Sequence, residues 1–232
     1  MFINGFDILW DEIDDYVADI KSIRSIDQFM FTKPVTFFCG ENGSGKSTLL
    51  EALAIKNGLN PEGGTRNYNF STYDSYSNLH KHMRLWRSRK PDWMYFLRAE
   101  SFYNVATKEM EYSGVFSERY HDQSHGQSFF SVLMKQTNKN GLYLLDEPEA
   151  ALSCQNQLAL LYLIQSCVKQ NCQFIIATHS PILLGLPGAQ ILSFDEDKVE
   201  EVDYKFTSSY QTMKLFFDRY DYFVEDIKEN EI

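Results

Sequence analysis

Val35-Thr36-Phe37-Phe38-Cys39-Gly40-Glu41-Asn42-Gly43-Ser44-Gly45-Lys46-Ser47-Thr48 is the stretch on which the reading of this 232-residue chain turns. Its first five residues are largely β-branched or aromatic, a strand signal closed by Gly40. From Lys46 to Lys56 the residues are helix formers, with Leu49, Leu50, Leu53 and Ala54 on one face. Strand, glycine-rich turn and helix therefore follow one another. Across the turn, Gly40 to Ser47 has the spacing Gly, four variable residues, Gly, Lys, Ser. Glycines there let successive backbone N–H groups turn inward around phosphate oxygens, and the start of the following helix adds a positive dipole end. Lys46 is expected to reach the β- and γ-phosphates and Ser47 to ligate Mg²⁺ through its hydroxyl. Glu41, Asn42, Ser44 and Thr48 complete the expected cradle. The alternative, a chance glycine-rich turn, leaves the flanking strand and helix unexplained.

Outward from this turn, Leu142-Tyr143-Leu144-Leu145 and Gln173-Phe174-Ile175-Ile176-Ala177 are short apolar runs suited to strands buried on both faces. Gln155 to Lys169, between them, carries Leu158, Leu161, Tyr162 and Gln165 at helical spacing, which predicts parallel strands joined by a helix. Ala189–Phe194 and Lys198–Val202 flank an acidic turn and predict a closing hairpin. Residues 57 to 78 read as irregular, 74 to 90 as helical and basic, and Met94 to Arg98 as a strand. The sequence predicts an α/β fold in one domain, 1–232, with a mostly parallel central sheet and antiparallel β elements. A helical or irregular insert is expected within about 57–135, and one or two acidic surface helices over about 208–232.

Asp146 and Glu147 end the first of those apolar runs. A strand ending in two carboxylates places Asp146 beside the Mg²⁺ and turns Glu147 toward an attacking water, whose proton a carboxylate can accept. An ordinary acidic strand end is the other reading. His179, in Ala177-Thr178-His179-Ser180-Pro181, follows the next strand and falls at the carboxyl edge of the sheet, where open α/β folds bind ligands. It is expected to sense the γ-phosphate by a hydrogen bond; a lone structural histidine is the alternative.

Composition narrows the class. With 44% hydrophobic and 23% charged residues the chain can bury a core. No apolar run approaches the roughly 20 residues of a membrane span, and Met1 to Trp10 lacks a basic start, so the cytoplasm is the expected address. Cys39, Cys154, Cys167 and Cys172 form no CxxC pair and read as thiols in a reducing compartment. The net charge of -10 is concentrated at the ends: residues 1–20 hold six acids and no base, and residues 195–232 hold twelve acids and five bases. The middle is slightly basic, which argues against a general nucleic-acid-coating surface but permits a local track.

The order Gly40 to Ser47, Ser124-His125-Gly126-Gln127, Leu142 to Glu147, Pro148-Glu149-Ala150-Ala151-Leu152-Ser153 and His179 resembles the ATP-binding cassette superfamily. There these are the Walker A, signature, Walker B, D-loop and switch histidine. Together with Phe96-Leu97-Arg98-Ala99-Glu100-Ser101-Phe102, the same motifs look like a family of small bacterial ABC-like ATPases, over about Val35 to Phe217. The resemblance implies a P-loop NTPase fold of the ABC head type, with ATP and Mg²⁺ as ligands. It further implies a head-to-tail homodimer in which Ser124, Gly126 and Gln127 of one copy close on the nucleotide of the other. Two departures stand out. His125 replaces the usual signature glycine, and Glu100 occupies the place where a glutamine would reach Mg²⁺ or water. Residues 123–127 can alternatively serve as a helix N-cap, and Glu100 as a salt-bridged structural acid.

Lys81, Arg84, Arg87, Arg89, Lys90 and Arg98, interleaved with His80, His82, Trp86 and Trp93, form the one basic and aromatic cluster. It is compatible with nucleic-acid phosphates plus stacking, a solvated helix face, or contact with an acidic protein partner. The leading expectation is an ATP-driven switch in DNA maintenance or phage defence. The alternatives are a transporter's nucleotide-binding subunit and a module that binds ATP without hydrolysing it. No heptad insertion that would make a long-armed tether is present.

Overall fold

The computed structural model describes residues 1–10, 13–65, 76–99, 133–134, 137 and 139–229. The N-terminal part contributes β1 (Ile3–Ile8), a short α1 (Lys21–Arg24), β2 (Gln28–Met30), β3 (Val35–Cys39) and α2 (Lys46–Lys56). Then come α3 (Leu79–His82), β4 (Met83–Arg87), β5 (Trp93–Arg98) and β6 (Gly141–Asp146). The C-terminal part holds α4 (Cys154–Val168), β7 (Gln173–Ala177), α5 (Pro181–Leu184), β8 (Gln190–Ser193), β9 (Glu200–Glu201), α6 (Ser208–Asp218) and α7 (Tyr220–Glu229).

Two sheets result. The larger runs β5-β6-β7-β3-β8-β9 and is parallel except where β9 returns antiparallel to β8; the smaller, β2-β1-β4, is antiparallel. Every residue of β3, β6 and β7 is buried, because layers pack on both faces of these central strands. Alternation sorts their side chains. Phe38, Leu142, Leu144 and Ile175 join the core with α2 and the small sheet, while Phe37, Tyr143, Leu145 and Ile176 join the core with α4 and α5.

Side chains also tie the sheets together: Gln190 of β8 donates to Met30 O of β2 at 3.4 Å. Fully buried Gln173 accepts hydrogen bonds from Phe2 N (2.7 Å) and Ile3 N (3.0 Å) and donates to Ile3 O (2.8 Å).

The register matters for the site. Phe38 pairs with Ala177, Asp146 with Ala177, and Arg98 with Asp146, so the carboxyl ends of β3, β7, β6 and β5 lie along one edge. The turns leaving this edge carry Gly40–Gly45, Glu147 and His179.

The expected helix over 74–90 is corrected. Within its described part only Leu79–His82 is helical, and Met83–Arg87 is a strand paired with β1 from Ile8↔Met83 to Ile3↔Arg87. Met83 turns inward and Arg84 outward, so a period of two, satisfied by pairing with β1, overrides the helix preference of Met, Arg and Leu. Of the insert expected within about 57–135, only 57–65, 76–99 and 133–134 are described, and there β4 joins the small sheet and β5 the large one; the rest lies outside the described residues. The predicted hairpin is present as β8 and β9. Helices α6 and α7 carry exposed Phe216, Phe217, Tyr222 and Ile227. Glu100, Ser124, His125, Gly126 and Gln127 lie outside the described residues, and so do their expected roles.

Candidate functional site

The glycine-rich turn is shaped by left-handed backbone at Gly43 (φ 78°) and Gly45 (φ 94°), a region side chains other than glycine enter at a cost. Gly45 also has no room: a Cβ there would stand 2.7 Å from Ile23 Cδ1. Gly43 faces open space, and Glu41 and Asn42 are exposed at the crest beside it. Two outside residues brace the loop. Ser22 donates its hydroxyl to Ser44 O (2.5 Å), and Asp195 Oδ1 accepts from Glu41 N (2.9 Å).

Lys46, at the first turn of α2, is only 3% exposed. Its Nζ donates to Gly40 O (2.8 Å), Glu41 O (2.6 Å) and Ser44 Oγ (3.3 Å). Burial lowers its pKa, against the opposing pull of the Glu147, Asp195 and Asp146 carboxylates. A charged amine folded onto neutral carbonyls, at the mouth of a phosphate-type loop, gains by exchanging them for an anion.

Ser47 Oγ donates to Asp146 Oδ1 at 2.8 Å, so the hydroxyl after the lysine and the carboxylate ending β6 converge as the sequence predicts. Glu147 sits in left-handed backbone (φ 48°, ψ 51°), which redirects its side chain away from Asp146. Its Oε1 lies 3.5 Å from His179 Nε2, and that nitrogen is buried with no hydrogen-bond partner among the described residues. The His179 backbone N–H is held by Glu149 Oε1 at 2.6 Å. Lys46, Ser47, Asp146, Glu147 and His179 thus gather at one sheet edge from three turns.

Four neighbours escaped the reading of the sequence. Arg98, assigned there to the basic surface cluster, lies at the site, with Nη1 2.5 Å from Glu51 Oε2 and Nε 3.5 Å from Asp146 Oδ2. Glu51 follows Ser47 by four residues on α2, a helical spacing that could have flagged it. Glu149 and Asp195 hold the backbone of His179 and Glu41, and such roles leave no mark in a sequence. The rest of the basic cluster does not form one face. Arg84 pairs with Asp7 (2.5 Å), Arg87 donates to Lys56 O (3.0 Å) and Asn57 Oδ1 (3.1 Å), and Arg89 lies over the Phe2 ring.

Among the described residues, no group of three or more His, Cys, Asp or Glu could hold a metal ion unaided. Ser47 with Asp146 supplies two oxygen donors, the short protein contribution typical where phosphates complete the shell of Mg²⁺. No helix among the described residues is long and apolar enough to cross a membrane.

Family comparisons match residues 17–83 to an AAA domain and 125–184 to an AAA ATPase domain. The chain is 30% identical over 171 residues to the cytochrome c biogenesis ATP-binding export protein CcmA of Rhizobium etli, covering 66% of this chain and 78% of that protein. It is 27% identical over 183 residues to an uncharacterized ABC transporter ATP-binding protein of Haemophilus influenzae, covering 68% of each. Among solved structures, the SMC head domain from Thermotoga maritima is similar at 14% identity and a TM-score of 0.45, over 88% of this chain and 99% of that one.

Proposed function

Because the chain belongs to the ABC-type ATPase superfamily, we propose that it binds ATP with Mg²⁺ between two copies of itself and hydrolyses it, the cycle acting as a switch. The observation that carries this reading is the convergence of Lys46, Ser47, Asp146, Glu147 and His179 at the carboxyl edge of the sheet. The backbone of Gly40 to Ser47 with Thr48 cradles the phosphates, and Lys46 leaves its carbonyl partners to pair with β- and γ-oxygens. Ser47 and Asp146 would hold Mg²⁺, whose charge, when bound, offsets that developing on the phosphoryl oxygens. Glu147 orients water and accepts its proton, and the buried Nε2 of His179 finds its partner in the γ-phosphate.

Ser124, Gly126 and Gln127 of the second copy complete the site in this proposal, with His125 as an added donor and Glu100 as a further Mg²⁺ or water contact. Residues 1–232 would work as one ABC-like ATPase domain in the cytoplasm. Adenine over guanine rests on the family.

The names of the curated relatives favour a second reading, an ATP-binding subunit that couples to a transporter, above DNA maintenance or phage defence. A nucleic-acid contact along 81–98 is weakened by the internal pairing of Arg84, Arg87, Arg89 and Arg98. Glu147→Gln tests the switch by size exclusion with MgATP and by phosphate release, with Lys46→Ala as the non-binding control. A nucleotide-dependent dimer that no longer turns over is expected. Equal turnover in wild type and Glu147→Gln would remove the general base from the reading.

A further inference from the structure

Arg98 stands where two carboxylates and the candidate metal ligand meet. Strands β5 and β6 end in register, Arg98 opposite Asp146, and one turn of α2 brings Ser47 and Glu51 to the same place. Asp146 Oδ1 accepts from Ser47 at 2.8 Å, while Oδ2 faces Arg98 Nε at 3.5 Å. The other end of the guanidinium meets Glu51 Oε2 at 2.5 Å, and the side chains of Glu51 and Asp146 are 10% and 6% exposed. Burial raises the Glu51 pKa and Arg98 opposes that rise.

Resting on the Mg²⁺–nucleotide reading above, we propose that Arg98 is the positioning residue that fixes how Asp146 is offered to the metal. With Oδ2 facing the guanidinium at ion-pair distance, rotation of the carboxylate gives up that attraction, so Oδ1, on the Ser47 side, is the oxygen presented. The same guanidinium occupies Glu51, which otherwise stands close to Asp146 as a second anionic ligand for the cation. A planar fork reaches both acids at once. A lysine ammonium is a point charge and cannot span them in the same geometry.

The test is Mn²⁺ binding followed by electron paramagnetic resonance in the presence of ADP, set beside fluorescent ADP binding without metal. The double variant Arg98→Met with Glu51→Gln removes Arg98 and Glu51 together, so that Glu51 is not left as a buried charge without its cation, while Asp146 keeps its Ser47 donor; Arg98→Lys retains the charge. Partners that orient a metal ligand typically govern affinity by about 10- to 100-fold, and a loss of Mn²⁺ affinity of that order is expected in the double variant. Arg98→Lys should fall between it and wild type, with metal-free ADP affinity within about twofold for all three. Mn²⁺ affinity in the folded double variant or in Arg98→Lys equal to wild type, with thermal stability alone altered, would reduce Arg98 to a structural ion pair. Wild type that binds neither ADP nor Mn²⁺–ADP would instead overturn the site reading itself.

Discussion

Two glycines in one loop offer a controlled experiment. Both Gly43 and Gly45 have positive φ, 78° and 94°, so alanine at either incurs the left-handed penalty of about 1–2 kcal/mol. They differ in what a methyl group meets. At Gly43 nothing lies within 4 Å, whereas at Gly45 the new carbon stands 2.7 Å from both Ile23 Cγ1 and Cδ1 and 2.9 Å from Ile20 Cγ2. Favourable carbon contacts lie near 3.5–4.0 Å, so these are overlaps of most of an ångström. Ile23 is fully buried in the core beneath the loop and cannot swing aside, which adds an overpacking cost of about 1–3 kcal/mol. Gly45→Ala should therefore cost about 2–5 kcal/mol against about 1–2 for Gly43→Ala. At this chain length the gap amounts to a melting temperature roughly 2–12 °C lower for Gly45→Ala, read by thermal denaturation without nucleotide. Equal melting temperatures would refute the claim that α1 and the loop are packed against each other through Gly45.

Gln173→Leu should destabilise by about 2–6 kcal/mol in urea titration, since the buried N–H groups of Phe2 and Ile3 each lose their acceptor. A loss under about 1 kcal/mol would mean that these donors find other partners. Thiol labelling checks the interior: burial pushes the Cys39 thiol up to about 12 and Cys167 up to about 11, leaving almost no thiolate at pH 8. Exposed Cys154 should react with a disulfide reagent at once and Cys39 only on unfolding. Rapid native labelling of Cys39 would contradict the packing of β3.

The central strands and the phosphate-type loop were readable because their signals are local. A run such as Gln173 to Ala177 is apolar throughout only where both faces are covered, and the glycine spacing from Gly40 to Gly45 answers to backbone angles that the structure contains. Strand β4 was not readable. Met83-Arg84-Leu85-Trp86-Arg87 suits a helix by propensity, and it becomes a strand because β1, some eighty residues earlier in the chain, offers a pairing edge. Separation along the chain hides Arg98 too, 47 residues from Glu51. In sequence it belongs with Arg84, Arg87 and Arg89, and only the parallel register of β5 with β6 separates it from them.

The adjacent acids show how one short motif can aim two carboxylates at different places. In an extended strand neighbouring side chains point to opposite faces. Asp146 accordingly turns toward α2 and Ser47, and a continued strand would send Glu147 to the other side and into the layer beyond. The left-handed turn at Glu147 stops this. It costs about 1–3 kcal/mol, and it is held by Glu147 N donating to Ala177 O at 2.9 Å and by Ala150 N donating to Glu147 O at 3.0 Å. The Glu147 carboxylate is thereby left 40% exposed and beside His179, at the mouth of the site, while Asp146 stays 6% exposed beneath it. A residue tolerant of that backbone but lacking a carboxylate, such as asparagine or glycine, would relieve the strain. The turn thus aims the two neighbouring carboxylates at different places, which supports the proposed division that gives Asp146 the metal and Glu147 the water.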